Sequence, residues 1–436
     1  MFRAVCQRGI PPLRESLFKS SGVAGSWRRL QEVNATQGDV VYVLRTYPEP
    51  SETFIRREIE GLIRAGTAVT IVALERVDPA GLVDVVSAGV APPTHYLRGA
   101  LPAPSTAVRG RPGVGALGRL LGAVAGDIAH LGAHPRRTAR CVRLALYAIR
   151  GCRHVPEGSR RLHAHFANDA AALARYLSIL TRVPYAITAH AYDIYQDPFL
   201  LARNLASAMK VYSVSRSNVR YLRSTFDIEP EDRCAVLHCA VDLADFPYRD
   251  PEPPPRPARL LCVARLIPKK GHAVLFEALR QLRDRGTSAR LVLAGDGPLE
   301  TSLRALAAEL GLDTSVDFLG GVPCDRVREL MRNSDLVVLA SRVADDGDRD
   351  GLPVALIEAA ALGTPIVATD VSGIPELVTP ENGWLAAPDR ADLFAEVLRA
   401  AIDEPQERRV ARARLARRAV EEEFAVERQI ETLRSL

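Results

Sequence analysis

The feature that most restricts the fold of this chain is an alternation of short, β-branched apolar runs with helical patterns, broken once by a run of prolines. In the first half, the runs at 39–45, 68–74, 161–166, 185–190, 210–215 and 234–239 read as strands, with helices such as 52–65 and 169–180 between them. Pro-Glu-Pro-Pro-Pro-Arg-Pro at 251–257 stops the pattern, because proline neither continues a helix nor donates to a strand ladder. The alternation restarts with strands at 259–264, 289–294, 315–319, 336–341, 365–369 and 383–386. Helices at 274–285, 299–310, 326–333, 353–362 and 391–402 lie between or after them, and a charged helix begins near 405. Strands that are apolar along their whole length, separated by helices, belong to parallel sheets covered on both faces. The expectation is an α/β fold of two doubly wound, parallel-sheet (Rossmann-like) domains facing across a cleft. Its parts are a weakly ordered extension at 1–37, a first domain at 38–245, a proline-rich linker at 246–258, a second domain at 259–420 and a C-terminal helix at 421–436 that crosses back to the first domain. A length of 436 residues suits two cores better than one. In open sheets of this kind, ligands sit outside the carboxyl ends of the strands.

Composition narrows the class without naming a function. With 47% hydrophobic and 25% charged residues, the chain is neither disordered, collagen-like nor disulfide-dense. Its seven cysteines are odd in number and none forms a Cys-x-x-Cys pair, so neither a disulfide framework nor a zinc site is expected. A reducing cytosol is the simplest compartment. No run of 18 apolar residues is present, and the best candidate for a membrane span, 113–132, is interrupted by Arg119 and Asp127. The net charge of +5 is unevenly spread: between Arg98 and Arg161 stand twelve arginines against Asp127 and Glu157 alone. Such a block reads either as a surface for an anionic partner (membrane, nucleic acid or phosphorylated lipid) or as a solvated helical face in an arginine-rich chain.

The second domain carries the most pointed chemistry. Asp350-Gly351-Leu352-Pro353 leads into a helix with Glu358 on it. Pro353 suits the first helical position, Gly351 allows close backbone approach, and the free N–H groups of a helix start suit a phosphate. Two carboxylates eight residues apart can then face one pocket and accept bonds from sugar or ribose hydroxyls. A helix cap with a surface glutamate explains the same spacing. The strand at 259–264 ends in Arg265-Leu266-Ile267-Pro268-Lys269-Lys270-Gly271, cations that can neutralise a diphosphate, or an ordinary exposed turn. The strand at 289–294 ends in the tight turn Gly295-Asp296-Gly297-Pro298.

Taken in order, Arg265…Lys270-Gly271, Gly295-Asp296-Gly297-Pro298, Asp350-x7-Glu358 and Ser372-Gly373-Ile374-Pro375-Glu376 resemble the retaining GT-B glycosyltransferases of family four (glycosyltransferase group 1). The form Asp346-Gly347-Asp348-Arg349-Asp350-Gly351-Leu352-Pro353 is similar to the branch that builds exopolysaccharides such as colanic acid. The resemblance runs from about residue 39 to 420. It implies that Arg265 and Lys270 hold the donor diphosphate, that Gly351 and Leu352 offer amides to its phosphates, and that Glu358 binds the donor ribose. Asp350, where the family usually has glutamate, would contact the transferred sugar with a reach one methylene shorter.

In the first domain, Tyr47-Pro48-Glu49-Pro50-Ser51-Glu52-Thr53-Phe54-Ile55 follows the first strand and resembles the family's loop facing donor phosphate and acceptor. It lacks the Gly-Gly of many relatives. As physics it is a helix start with Ser51 as N-cap or first-turn residue, and Ser51 and Glu52 are candidate acceptor- or phosphate-loop residues. His190 ends the strand at 185–190; a buried structural histidine is the ordinary reading there, and the resemblance implies a functional one beside the donor sugar. His163 and His165 share one strand face, with no third metal ligand evident nearby.

The implied reaction moves a glycosyl group from a nucleoside-diphosphate sugar to an acceptor hydroxyl, a lipid-linked glycan, with retained configuration and no metal or other cofactor. Cytoplasmic location with peripheral attachment to the inner membrane face through the Arg98–Arg161 block goes with it, and no nucleic-acid partner is expected. The acidic run from Asp345 reads either as a cation site or as a mobile loop. A nucleotide-sugar hydrolase or epimerase on the same architecture, and a silent sugar-nucleotide-binding protein, are the competing classes. A dinucleotide oxidoreductase is disfavoured, since neither first strand is followed by Gly-x-Gly-x-x-Gly.

Overall fold

A computed structural model describes residues 39–49, 52–76, 92–98 and 110–436. Two parallel sheets organise them. The first has seven strands: β1 (Val40–Thr46), β2 (Val69–Glu75), β3 (Thr94–Tyr96), β4 (Arg161–His165), β5 (Tyr185–Ala189), β6 (Lys210–Ser213) and β7 (Cys234–Val236), in the order β3-β2-β1-β4-β5-β6-β7. The second has six: β8 (Ala258–Val263), β9 (Ala289–Ala294), β10 (Val316–Phe318), β11 (Leu336–Leu339), β12 (Ile366–Thr369) and β13 (Trp384–Ala386), in the order β10-β9-β8-β11-β12-β13. The chain is thus doubly wound twice, in a GT-B arrangement. Strand order reverses between β1 and β4 in one sheet and between β8 and β11 in the other, and these switch points open the crevices in which ligands sit.

The apolar strand runs are apolar because they are covered on both sides. Val41 and Val43 of β1 face the core that includes the helix Asp169–Thr181, while Val40, Tyr42 and Leu44 face the helix Thr53–Arg64. The strand β3 has no counterpart in the sequence reading, because Thr-His-Tyr is too short to show a period.

The stretch read at 113–132 as the best candidate for a membrane span forms the helix Val114–Leu131. Among the described residues it is the one helix long and apolar enough, by those criteria alone, to cross a membrane. Glycine and alanine raise its average. Its Asp127 is fully buried and takes ion pairs from Arg175 and Arg203 and the hydroxyl of Tyr176 at 2.6 Å. Those contacts fasten it to the first domain.

Two crossings join the domains. After β7 the chain passes through Val241 and Phe246 into the prolines; later it returns through Phe424 and Ala425 to the helix Val426–Arg434, which packs on Thr53–Arg64 of the first domain. The crossings touch: Val241 N donates to Phe424 O at 2.9 Å and Val426 N to Val241 O at 3.0 Å.

Candidate functional site

On the second domain, the strand ends converge as backbone before any side chain matters. Leu266 N donates to Asp296 O at 2.7 Å, tying the Gly-Asp-Gly-Pro turn after β9 to the end of β8. Gly271 has φ +64, and a Cβ there would lie 1.8 Å from Ala340 O, so only glycine lets the Lys269-Lys270 turn settle on the end of β11. That turn puts Lys270 Nζ 2.8 Å from Asp350 Oδ2, and Lys269 Nζ 3.0 Å from Asp348 and 3.7 Å from Asp350. Ser341 Oγ donates to Asp350 at 3.1 Å. Burial pushes the Asp350 carboxyl up, but Lys270, Lys269 and these hydrogen bonds outweigh it and hold the pKa below the ordinary value. Asp350 is therefore a carboxylate clamped by two ammonium groups.

Pro353 occupies the cap of the helix Val354–Leu362 rather than its first residue, a shift of one that leaves its missing N–H equally harmless. One turn on, Glu358 Oε1 receives Arg57 Nη2 at 2.7 Å, a guanidinium supplied by the helix Thr53–Arg64 of the other domain. Arg57 is buried, lies over the Phe246 ring at 5.2 Å, and keeps its Nη1 without a partner. Gly351 is placed against Val214 of the first domain, whose Cγ2 would lie 2.7 Å from an added Cβ. Glu376 reaches across as well: its two oxygens accept from Arg216 N at 2.8 Å and Ser217 N at 3.0 Å, capping the helix Arg216–Phe226.

The first domain answers with a buried polar chain. His190, at the end of β5, is 7% exposed, lies between the rings of Phe54 and Phe166, and contacts His165 through Nε2 at 3.2 Å to Nδ1. His165 Nε2 lies 3.0 Å from Glu58 Oε1. Glu58 also accepts from Tyr42 OH at 2.5 Å and from Gln429 Nε2 at 2.9 Å. Burial pushes Glu58 up, yet His165, its hydrogen bond, His163 and the Tyr42 hydroxyl bring it down to about 2. Burial drives His190 well below the ordinary histidine value. Asp193, which accepts from the His190 backbone at 2.8 Å, is raised to about 7 by burial.

The residues singled out in the sequence fall into three groups. Lys270, Asp350, Gly351 and Leu352 gather at the foot of the helix that carries Glu358, and Arg265 stands exposed just after β8. His190 lies at the carboxyl end of β5, on the first domain. Glu52 occupies the N-cap position of the helix Thr53–Arg64 without a side-chain capping bond, and Ser51, read as cap or first-turn residue, lies outside the described residues. Burial raises the Glu52 carboxyl to about 8, with Glu49 adding to the effect.

Three corrections follow. His163 and His165 do have a third group beside them: Glu58, with ligand atoms all within 4.8 Å of one another. It comes from a helix distant in sequence, which inspection of the neighbouring residues could not reveal. Those atoms are already committed, His165 to Glu58 and His163 Nε2 to Thr188 Oγ1 at 2.8 Å, so the arrangement is first a hydrogen-bond network. In the acidic run, Asp348 and Asp350 are spent on Lys269 and Lys270 rather than on each other. And the basic block is not uniform: Arg140 is paired with Asp169 and Asp197, and Arg161 donates to Leu433 O, whereas Arg136, Arg137 and Arg143 are exposed. Arg57, Glu58 and Glu376's capping role were not legible, since each acts on a partner more than a hundred residues away.

Comparison with known proteins agrees with the fold. Residues 248–419 match the model of the family described as glycosyl transferases group 1. The provisionally named colanic acid biosynthesis glycosyltransferase WcaL of Escherichia coli (strain K12) is 40% identical over 172 residues, 39% of this chain and 42% of that protein. The amylovoran biosynthesis glycosyltransferase AmsK of Erwinia amylovora is 35% identical over 170 residues, 39% of this chain and 42% of that one. The matched stretch thus spans about two-fifths of these curated relatives. Among solved structures, HepE of Anabaena in complex with UDP and glucose superposes with a TM-score of 0.64 and 18% identity, covering 91% of this chain and 99% of HepE. The matched stretch 248–419, which supplies Lys270, Asp350 and Glu358, is thus similar to the glycosyl transferases group 1, and the fold of the whole chain is similar to that of HepE.

Proposed function

We propose that the protein is a retaining glycosyltransferase that moves a sugar from a nucleoside-diphosphate sugar to an acceptor hydroxyl, with a lipid-linked glycan of exopolysaccharide or cell-envelope synthesis as acceptor. The observation that carries this reading is the Lys270–Asp350 clamp at the foot of a helix whose Glu358 meets Arg57 from the opposite domain. Cations, amides and hydroxyl acceptors meet there, at the switch point of the second sheet. The UDP and glucose bound by HepE, and the polysaccharides named for WcaL and AmsK, support a sugar-nucleotide donor and a glycan product.

In this reading Arg265, Lys270 and the neighbouring Lys269 face the diphosphate, with the amides of Gly351 and Leu352. Glu358 accepts from the ribose hydroxyls, while Asp350 and His190 contact the transferred sugar. Ser51 and Glu52 lie on the acceptor or phosphate side. The acceptor oxygen attacks the anomeric carbon on the face the diphosphate leaves, and the departing diphosphate oxygen takes the acceptor proton. Two lysines and an arginine supply the positive charge that a metal would otherwise bring, so the reaction is proposed to be metal-independent. A cytoplasmic protein attached to the inner membrane face fits a lipid-linked acceptor. Exposed Arg136, Arg137 and Arg143 share their helix with exposed Val142, Leu146 and Ile149, a pairing suited to an anionic lipid surface.

The test is calorimetric titration with uridine and guanosine diphosphate sugars, followed by turnover of the bound donor with an envelope lipid extract and assignment of the product anomer. Acceptor-dependent release of nucleoside diphosphate with retained configuration is expected. Equal release without acceptor would mark a hydrolase, and binding without release a silent binder.

A further inference from the structure

Two buried side chains, Glu58 and His165, form a line behind His190, and nothing in the proposed reaction uses them. Glu58 is fully buried, and its carboxylate receives Tyr42 OH, Gln429 Nε2 and His165 Nε2, at 2.5, 2.9 and 3.0 Å. The tyrosine and the amide can only donate to a carboxylate, and so must His165 Nε2, which therefore carries its proton toward Glu58. Three such bonds favour the charged form of the buried carboxylate. In the imidazole tautomer that donates from Nε2 to Glu58, His165 Nδ1 is a bare acceptor, 3.2 Å from His190 Nε2. His190 must donate from Nε2 to satisfy it. His190 Nδ1 is left bare, and no group among the described residues bonds to it. The Phe54 and Phe166 rings, 5.0 and 4.5 Å from the His190 ring, hold its plane.

We infer that Glu58 and His165 are positioning residues for His190: the Glu58–His165–His190 line fixes His190 as the Nε2–H tautomer, so that its bare Nδ1 accepts a hydrogen bond from a hydroxyl of the bound sugar. The inference deepens the proposed function, because it rests on His190 lying beside the transferred sugar. It explains why helix Thr53–Arg64 carries Arg57 and Glu58 side by side: one residue reaches the second domain's Glu358, the other sets the histidine of its own domain. Without the line, a neutral imidazole with no strong partner samples both tautomers, and one of them presents N–H where an acceptor is needed.

The experiment is nitrogen NMR of histidine-labelled, ligand-free protein, with His190 assigned through a His190→Gln control. Wild-type protein should show His190 protonated at Nε2 alone and bare at Nδ1. His165→Phe keeps an aromatic ring beside Tyr42 and should shift His190 to an averaged signal. Glu58→Gln, milder for folding because its amide oxygen still accepts from His165, should keep the wild-type tautomer. In turnover assays His165→Phe should lose about tenfold or more in kcat/KM, as expected for one misdirected hydrogen bond, and Glu58→Gln should retain most of it. A His190 protonated at Nδ1 in wild type, or an unchanged tautomer in His165→Phe, overturns the inference. So does one equivalent of tightly bound zinc lost on His165→Phe, which would give Glu58 and His165 a different partner. Because the spectra need no substrate, a protein that turned over no sugar nucleotide would sink the proposed reaction and leave the tautomer result to be judged by itself.

Discussion

The two walls of the cleft are built by opposite means. On the second domain the chemistry is local: Lys270 and Asp350 sit at the ends of neighbouring strands, and short turns bring them to 2.8 Å. On the first domain it is assembled from afar. Tyr42 comes from β1, Glu58 from the next helix, His165 from β4, His190 from β5 and Gln429 from the helix that returns at the end of the chain. The charged groups of the second domain's wall are partly exposed, whereas Glu58 and His165 of the first domain are closed in the core. The difference teaches that a wall of local turns can present charge with few long-range contacts, whereas a wall built on one buried histidine needs partners from across the fold to hold that side chain in one state.

The strongest way to break this contrast is Lys270→Met. If the second domain's wall is the electrostatic one, kcat/KM with the sugar nucleotide should fall by ~10²–10³, the usual loss when one charge-stabilising donor is removed. A loss below threefold would show that Lys269 or Arg265 carries the diphosphate instead. Glu358→Gln should come next. It removes the charge that faces Arg57 and weakens a charge-assisted bond worth about 1.5–3 kcal/mol, so donor affinity measured by calorimetry should drop by roughly ten- to a hundredfold. An unchanged affinity would mean that Glu358 serves only to join the domains. A smaller effect is expected at Glu52. Its folded pKa of about 8 lies above its ordinary value, so the protonated form is favoured in the fold and stability should decline as pH rises from about 5 to 8. Glu52→Gln should flatten that part of a melting-temperature profile, and a profile identical to wild type would place Glu52 in solvent. The smallest effect on chemistry belongs to Arg136, Arg137 and Arg143. Their joint replacement by Gln should reduce sedimentation with anionic vesicles while leaving turnover of a soluble acceptor within about twofold, as expected of exposed charges. Unchanged vesicle binding removes the membrane role. Arg140 is best left intact in that test, since its loss would break the contacts with Asp169 and Asp197.

The same contrast decides what could be read from the sequence. The alternation of strands and helices and the proline break were legible because burial on both faces writes itself into every residue of β11 or β12. The donor-side residues were legible because their spacing is local: Gly271 follows Lys270, and Glu358 follows Asp350 by two turns of chain. The meeting of Arg57 with Glu358, and of Glu58 with His165, left no trace, because no periodicity joins a helix near residue 57 to one near 358. For the same reason Arg140 could not be told from Arg143 in the basic block. Both are arginines on one helix, and only the buried Asp169 and the half-buried Asp197 distinguish them.

The paired crossings between the domains carry a mechanical consequence. Val241 and the segment around Ala425 run side by side, held by two backbone bonds, so both passages of the chain go through a single spot. A door hung on two pins set together swings about one line and does not slide. Opening and closing of the cleft should then be a rotation about the Val241–Ala425 ladder, with the largest travel at the edge remote from it. The helix Val426–Arg434 rides with the first domain, so in such a swing Gln429 and Glu58 stay in register while Arg57 and Glu358 part.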